Sequence, residues 1–186
     1  MNRLSDETAL IRRAQQGDRA ALAALHDQYY RAIYTYFATR LDVPQVAEDL
    51  TSEVFVRMVQ KISKFRQTGR PLLAWLYTIA RNLLTDYHRE SRQNNAPLSL
   101  EEHLVAGTDN PARSAENSMA VDCLRKALEY ITEEQRLVVV GKFLEGRPTR
   151  EVARLLGKTE GAVKALQHRA LAALRRAIEQ EGCYEP

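Results

Sequence analysis

The sequence predicts an all-α protein with two small helical domains joined by a flexible linker, the C-terminal domain containing a helix-turn-helix. Apolar residues recur at spacings of three and four along most of the chain, and no segment alternates as a strand does. Residues 93–117 interrupt this pattern with two Pro, one Gly and four Asn. The 186 residues, 45% of them hydrophobic, are enough for one ordinary domain or two small ones.

Four helices are predicted in residues 1–92, the first domain. DETALIRRAQQ forms a short helix that Gly17 ends, and Asp18 is expected to cap the next. Pro44 suits the first turn of the third helix, and Pro71 opens the fourth after the loop KFRQTGRP. The residues expected to face the core are Leu22, Leu25, Tyr29, Ile33 and Phe37 in the second helix and Ala47, Leu50, Val54 and Met58 in the third.

Residues 93–117 are predicted to be an extended linker of about 25 residues, and residues 118–186 the second domain. A helix runs from Met119 to Tyr130. ITEEQRLVVVGKFL forms the next helix, which begins near Thr132 because Thr132 and Gln135 have the spacing of a capping box.

The segment PTREVARLLGKTEGAVKALQHRALAALRR, residues 148–176, is typical of a helix-turn-helix. Gly157 breaks the first helix and Thr159 caps the second. In the first helix Val152, Ala153 and Leu156 are apolar, and in the second Val163, Leu166, Ala170 and Leu174 share one side. The opposite side carries Gly161, Lys164, Ala165 and His168, with Arg169 at its edge. Small residues and donors on one face suit insertion into a DNA major groove, although a solvated bundle face remains the alternative.

Charge distribution favours two surfaces that face polyanions. The formal net charge is only +3, but residues 64–92 carry six Lys/Arg against two Asp/Glu, and residues 141–178 carry nine against three. Cys123 and Cys183 lack metal-site or CxxC spacing and are expected to be reduced thiols. There is no secretory signal or membrane-length apolar run, which predicts a cytoplasmic location.

The fourth helix, WLYTIARNLLTDYHRE, has an unusual outer stripe. Trp75, Asn82 and Arg89 follow one another at intervals of seven residues. Trp75 and Tyr77 are predicted stacking platforms, Asn82 can pair with an unstacked base, and Arg81, Arg89 and Arg92 can hold phosphates. The stripe therefore favours single-stranded or melted DNA. The simpler alternative is that Trp75 belongs to the core.

A third surface lies on AEDLTSEVFVRMVQKI, residues 47–62. Asp49, Ser52, Glu53 and Val56 share one stripe, beside the apolar residues Phe55 and Val59. Acidic stripes are usually only solvated, but the adjacent apolar residues make a protein-docking site possible.

Together these three motifs resemble the sigma-70 family of RNA polymerase sigma factors, of the compact extracytoplasmic-function type. The likeness covers about residues 5–92 and 118–178. It implies that Asp49, Ser52, Glu53 and Phe55 contact core RNA polymerase. It also implies that Asn82 captures a flipped base of the −10 element beside Trp75 and the loop from Phe65 to Arg70, with Tyr77, Arg81 and Arg89 nearby.

The resemblance further implies that Lys164, Ala165, His168 and Arg169 read the −35 element. Lys158 replaces a usual aliphatic residue, and Leu166 and Gln167 exchange the usual order, which leaves the −35 contacts open. The implied partners are core polymerase, duplex −35 and melted −10 promoter DNA, and an anti-sigma factor. No catalytic residue, metal, cofactor or small-molecule substrate is expected.

Two other functions are alternatives for this sequence. A stand-alone helix-turn-helix regulator would use the N-terminal half as a dimer or sensor module. A metal-dependent helical nuclease would need ligands such as Asp86, His88 and Glu90, but spacings of two place these on different faces of a helix.

Overall fold

The computed structural model describes residues 3–67, 69–93 and 123–182, and the regular structure in these ranges is entirely helical. The predicted all-α class is confirmed. The predicted linker, apart from Gln93, lies outside the described residues, as do the first residues of the helix predicted from Met119. No helix within the described ranges is long and apolar enough to cross a membrane.

Four helices form the N-terminal part: α1 (Arg3–Gln15), α2 (Arg19–Ala38), α3 (Pro44–Lys61), which continues as a 3₁₀ turn (Ile62–Lys64), and α4 (Leu72–Gln93). Their boundaries follow local chemistry. Gly17 adopts a positive φ of 83° between α1 and α2, and the Asp18 carboxylate accepts the N–H groups of Ala20 and Ala21 at the start of α2. Pro44 occupies the first turn of α3, as predicted.

Hydrogen bonding holds the pKa of the Asp18 carboxyl below its usual value. The largest cause is the Arg13 guanidinium, followed by the backbone N–H of Ala21. Because the pKa of Asp18 is lower in the folded state, the ionised carboxylate stabilises the fold at pH values above the unfolded-state pKa. This stabilisation is lost as the pH falls through the folded-state pKa.

The N-terminal core is built from one side of each helix. Side chains at most 1% exposed come from three helices: Leu25, Ile33 and Phe37 of α2, Val54 and Met58 of α3, and Leu72, Leu73 and Leu76 of α4. Tyr29 and Ala47 are also buried, as predicted, whereas Leu22 and Leu50 are only half-buried. These two residues lie at the edge of the apolar stripe of their helix, where neighbouring helices cover the side chains only in part.

Within residues 123–182 the structure has four helices: α5 (residues 123–129), α6 (Glu133–Val139), which continues as a π-helical turn (Val140–Leu144), α7 (Thr149–Leu156) and α8 (Glu160–Gln180). The capping box is confirmed. The Thr132 hydroxyl accepts the N–H of Gln135, and the side-chain Oε1 of Gln135 accepts the N–H of Thr132 at 2.9 Å. Residues of α5, α6, α8 and the turn between α5 and α6 share a core: Ala127, Leu128, Ile131, Val139, Ala170, Leu174 and Ala177.

The helix predicted through Leu144 is confirmed, and its last turn, Val140–Leu144, is π-helical. At this turn α6 comes close to α7, since a Cβ built on Gly141 would lie 3.3 Å from Cγ2 of Val152. The wider turn also leaves Phe143 and Leu144 exposed at 55% and 43%. Apolar spacing alone does not reveal such a turn, because a π-helical turn differs from an α-helical one in its i→i+5 hydrogen bonds.

The turn between α7 and α8 has the hydrogen bonds of a Schellman motif. Gly157 has a φ of 65°, its N–H donates to Arg154 O, and the N–H of Lys158 donates to Ala153 O. Thr159 then caps α8 through the N–H of Ala162. Of the apolar residues of α7, Val152, Ala153 and Leu155 are buried, and Leu156 is half-buried. The unusual Lys158 forms an ion pair with Glu134 at 2.9 Å.

Cys123 is disulfide-bonded, so the prediction of two reduced thiols is wrong for this residue. The prediction for Cys183 falls on a residue outside the described ranges.

Thr132→Ala should lower the free energy of unfolding of the C-terminal helices by about 1 kcal/mol, because one N-terminal N–H of α6 loses its acceptor. Thr132→Ser keeps the hydroxyl and should lose much less. Far-UV circular dichroism during urea unfolding checks this change. Trp75, the single tryptophan, lies in α4, so its fluorescence transition is an internal control that should not move.

Candidate nucleic-acid and protein-binding surfaces

The outer face of α4 carries the predicted stripe. Asn82, Arg81 and Arg89 are exposed, and Trp75 is half-buried. Asn82 follows Trp75 by seven residues, which places the two about 10 Å apart along the helix axis and almost in line. The face therefore presents an amide and two guanidinium groups, with an indole at its border.

Trp75 packs against an aromatic side chain from the preceding loop. Its ring centroid lies 4.9 Å from that of Phe65, with the ring planes inclined at 37°. Phe65 follows the 3₁₀ turn and is itself half-buried, so both rings keep some exposed surface. Arg66 and Arg70 in the same loop are exposed. The structure thus brings two aromatic rings together at the start of α4, flanked by cationic side chains.

Tyr77 is not part of this face, which corrects the prediction that it is a stacking platform. It is only 8% exposed, and its ring centroid lies 5.4 Å from that of Tyr36 in α2. Two residues along a helix correspond to a rotation of about 200°, so Tyr77 points to the core side when Trp75 lies at the border of the exposed face.

On α3, Asp49 and Ser52 are exposed and Glu53 is half-buried, where it pairs with Arg57 at 2.8 Å. Val56 and Val59 are 48% and 51% exposed, which is unusual for valines in the middle of a long helix. This face combines carboxylates with uncovered apolar surface, the composition expected of a protein-docking site.

Phe55 is buried at 6% exposure, which corrects its prediction as a contact residue on this face. It lies beneath an aromatic layer from α2, with ring centroids 4.6 Å from His26 and 6.4 Å from Tyr30. Phe55 therefore supports the surface from below. The physical reason is that α2 covers its side of α3, which no pattern within α3 reveals.

The aromatic layer itself was not predicted from the sequence. His26, Tyr30 and Tyr34 follow one another at intervals of four on α2, and the rings of Tyr30 and Tyr34 are parallel within 3° with centroids 6.2 Å apart. Tyr30 is 36% exposed. The i, i+4, i+8 spacing of rings was the available signal, since residues so spaced lie on one helix face. We name His26, Tyr30, Asp49, Ser52, Glu53, Val56 and Val59 the docking face.

The outer side of α8 has the predicted composition. Lys164, Ala165, His168 and Arg169 are exposed, while Val163, Leu166 and Ala170 are buried. Gln167, next to Leu166, is half-buried. By helical rotation His168 lies near the centre of the exposed side and Arg169 at its edge.

The residues considered as metal ligands do not form a cluster. Asp86 is half-buried, whereas His88 and Glu90 are exposed. In the ranges that the structure describes, no three His, Cys, Asp or Glu side chains are grouped so that they could hold a metal ion.

Family models match both halves of the chain. The model for Sigma-70 region 2 matches residues 25–94, and the model for Sigma-70, region 4 matches residues 121–174. The first segment contains α3, α4 and the loop between them, with most of α2, and the second contains the helix-turn-helix.

Two relatives of the chain are named RNA polymerase sigma factors. The ECF RNA polymerase sigma factor BldN of Streptomyces coelicolor is 37% identical over 177 residues, covering 92% of this chain and 66% of that protein. The chain thus spans somewhat less than two thirds of that relative. The ECF RNA polymerase sigma factor SigL of Mycobacterium tuberculosis is 33% identical over 178 residues, covering 94% of this chain and 98% of that protein.

Solved structures share the fold at low identity. CnrH, in complex with the cytosolic domain of CnrY, superposes with a TM-score of 0.64 at 20% identity, covering 94% of this chain and 97% of that one. The sigma factor RpoE of Bartonella quintana, in complex with the anti-sigma factor NepR, superposes with a TM-score of 0.54 at 20% identity. The match covers 84% of this chain and 96% of that one.

Proposed function

The chain belongs to the ECF RNA polymerase sigma factors of the sigma-70 family, and we propose that it divides promoter recognition and opening among three surfaces. The observation that carries this proposal is the exposure of the DNA-binding candidates. Asn82 on α4 and His168 on α8 both face solvent, within the segments that match regions 2 and 4. The docking face would bind core polymerase, α4 the melted −10 strand, and α8 the duplex −35 element.

The docking face suits a protein partner because of its composition. Exposed valines at Val56 and Val59 offer apolar area, and Tyr30 adds an aromatic ring with a polar end. Asp49 and Glu53 supply negative charge, which would steer a basic surface of core polymerase into register. DNA is a poor candidate for this face, since phosphates would meet carboxylates.

The two DNA surfaces are proposed to read different forms of the promoter. The small and cationic outer side of α8 fits a major groove, where His168 would reach base edges and Arg169 a phosphate. On α4, Asn82 would hold an extruded base while Trp75 and Phe65 offer ring surface for stacking.

Each DNA surface alone would bind weakly and in a salt-dependent way. Docking both on polymerase holds them at a fixed separation, so the second contact becomes effectively intramolecular. Strand opening would then be driven by the binding of the extruded base. The chain would need no covalent chemistry, cofactor or small-molecule substrate, and would act in the cytoplasm beside core polymerase and the chromosome.

We also propose that an anti-sigma protein regulates the chain. RpoE of Bartonella quintana, which shares the fold, was solved with the anti-sigma factor NepR. An anti-sigma protein that blocks binding to core polymerase would bind the docking face and cover its exposed valines.

Transcription in vitro tests the proposal as a whole. Core enzyme, the full chain and genomic DNA should yield transcripts with discrete start sites, and core enzyme alone should not. Co-elution of the chain with core enzyme in gel filtration is expected, whereas a stand-alone regulator would not co-elute. Absence of any chain-dependent start site would refute the proposal.

Asn82→Ala should reduce promoter opening roughly 5- to 150-fold, the equivalent of about 1–3 kcal/mol for a side chain paired to one base edge by two hydrogen bonds. Alanine favours a helix, so α4 should fold normally. Permanganate reactivity of unpaired thymines measures opening, and affinity for core enzyme is the control that should stay nearly unchanged. Loss of both together would mean that Asn82 does not have this role.

Glu53→Arg should weaken binding to core enzyme by at least about tenfold, since it reverses a charge at the docking face. Fluorescence anisotropy of the labelled chain against core enzyme measures this change. Glu179→Arg is the matched control, with the same charge reversal near the end of α8, and should bind as the wild type does. Equal effects of the two variants would refute the assignment of the docking face.

Arg169→Ala and His168→Ala should affect −35 binding differently. Loss of a phosphate contact at Arg169 should weaken binding to all sequences and reduce the salt slope by about 1. Loss of a base contact at His168 should relax preference at one promoter position by about 1–3 kcal/mol. Holoenzyme binding to duplexes with single −35 substitutions, at several salt concentrations, separates the two outcomes.

A further inference from the structure

Helix α1 reaches the loop between α3 and α4 with a polar side chain at its C-terminal end. The Nε2 amide group of Gln15 donates to Ile62 O at 3.1 Å and to Phe65 O at 2.7 Å. A primary amide has two N–H donors, so one side chain can satisfy both carbonyls. These carbonyls belong to the first residue of the 3₁₀ turn and to the residue that follows this turn.

A second side chain of α1 holds the other end of the loop. Glu7 is only 8% exposed, and its Oε1 accepts the N–H of Leu72 at 3.1 Å and the Tyr29 hydroxyl at 2.7 Å. Leu72 is the first residue of α4. The first N–H groups of a helix have no partner within the helix, so Glu7 supplies an acceptor from 65 residues away in sequence.

Both anchors lie beside the aromatic pair. Gln15 binds the carbonyl of Phe65, whose ring packs on Trp75, and Glu7 binds the residue three positions before Trp75. The backbone is thus fixed on each side of the segment from residue 65 to 72. A loop fixed before binding loses less conformational entropy when it binds a ligand.

We propose that α1 is a positioning element for single-strand capture, with Gln15 and Glu7 holding the loop and the start of α4 in the geometry that receives an unpaired base. This inference rests on the proposed function. Neither side chain needs to touch DNA, because each acts through the backbone that carries Phe65 and Leu72.

The chain offers a matched pair of variants for the test. Gln15→Leu keeps the size of the side chain and removes both donors, whereas Gln16→Leu makes the same change at the neighbouring, exposed position. Gln15→Lys restores N–H donors on a long stem and is the rescue variant. Holoenzymes are assembled from core enzyme and each full-length variant. They are tested on a promoter at which the wild-type holoenzyme initiates transcription.

Gln15→Leu should lower affinity for a single-stranded oligonucleotide of the −10 region, and the yield of open complex, by about tenfold, since two hydrogen bonds that fix the loop are lost. Affinity for core enzyme and for duplex −35 DNA should change less than about twofold. Gln16→Leu should match the wild type, and Gln15→Lys should recover much of the capture.

A readout without DNA or polymerase checks the geometry directly. In the free chain, acrylamide should quench the fluorescence of Trp75 more strongly in Gln15→Leu than in Gln16→Leu, because Phe65 is no longer held against it. A purely structural role for Gln15 predicts instead that polymerase binding and DNA capture fall together with thermal stability.

The outcomes separate the two proposals. If the wild-type chain directs transcription and Gln15→Leu captures single strands normally, the positioning role is wrong and the proposed function stands. A parallel loss of core binding in Gln15→Leu also overturns the positioning role. If the wild-type chain directs no transcription, the proposed function fails and the inference that rests on it fails too.

Discussion

Burial of the apolar stripe of α4 is the constraint on which the N-terminal helices depend. Leu72, Leu73 and Leu76 are at most 1% exposed, and Ile79, Ala80 and Leu83 continue the stripe along the helix. Exposing one such leucine costs about 1.5–3 kcal/mol, so the rotation of α4 about its axis is firmly set. The same rotation keeps Asn82 and Arg89 in solvent and Tyr77 in the core.

The C-terminal helices obey the same rule on a smaller scale. Val163, Leu166 and Ala170 bury one side of α8, and this fixes which side remains outside. The left-handed Gly157 and the Thr159 cap set where α8 begins, and hence which residues fall on its first turns. A helix surface that enters a major groove needs both the buried side and the fixed start of α8, because a shift of one residue rotates the exposed side by about 100°.

The three proposed binding surfaces differ in how they are supported. The outer side of α8 needs only its own helix and the core behind it. The docking face needs two helices, since the rings of α2 cover Phe55 and extend the stripe of α3. The aromatic pair at the start of α4 needs three elements: α4, the loop before it, and α1, which holds that loop at both ends. Support thus becomes less local from α8 to α4, and single-strand capture depends most on the assembled fold.

The sequence by itself determined the all-α class, the order of the helices and most of their ends. Asp18, Thr132, Thr159 and Gly157 act on backbone groups within a few residues, so their effects can be seen in short segments. Helical periodicity also placed Asn82, Lys164, His168 and Arg169 on outer faces, although their roles in DNA binding remain predictions.

Only the tertiary structure decided the features that depend on distant partners. Phe55 and Tyr77 became core residues because α2 covers them, and α6 ends in a π-helical turn where it approaches α7. Gln15 and Glu7 bind backbone groups about 50 to 65 residues away, and no local pattern marks such partners. Periodicity indicates which side of a helix is apolar. The neighbouring helices decide how much of that side is covered, and which polar groups beside it are covered too.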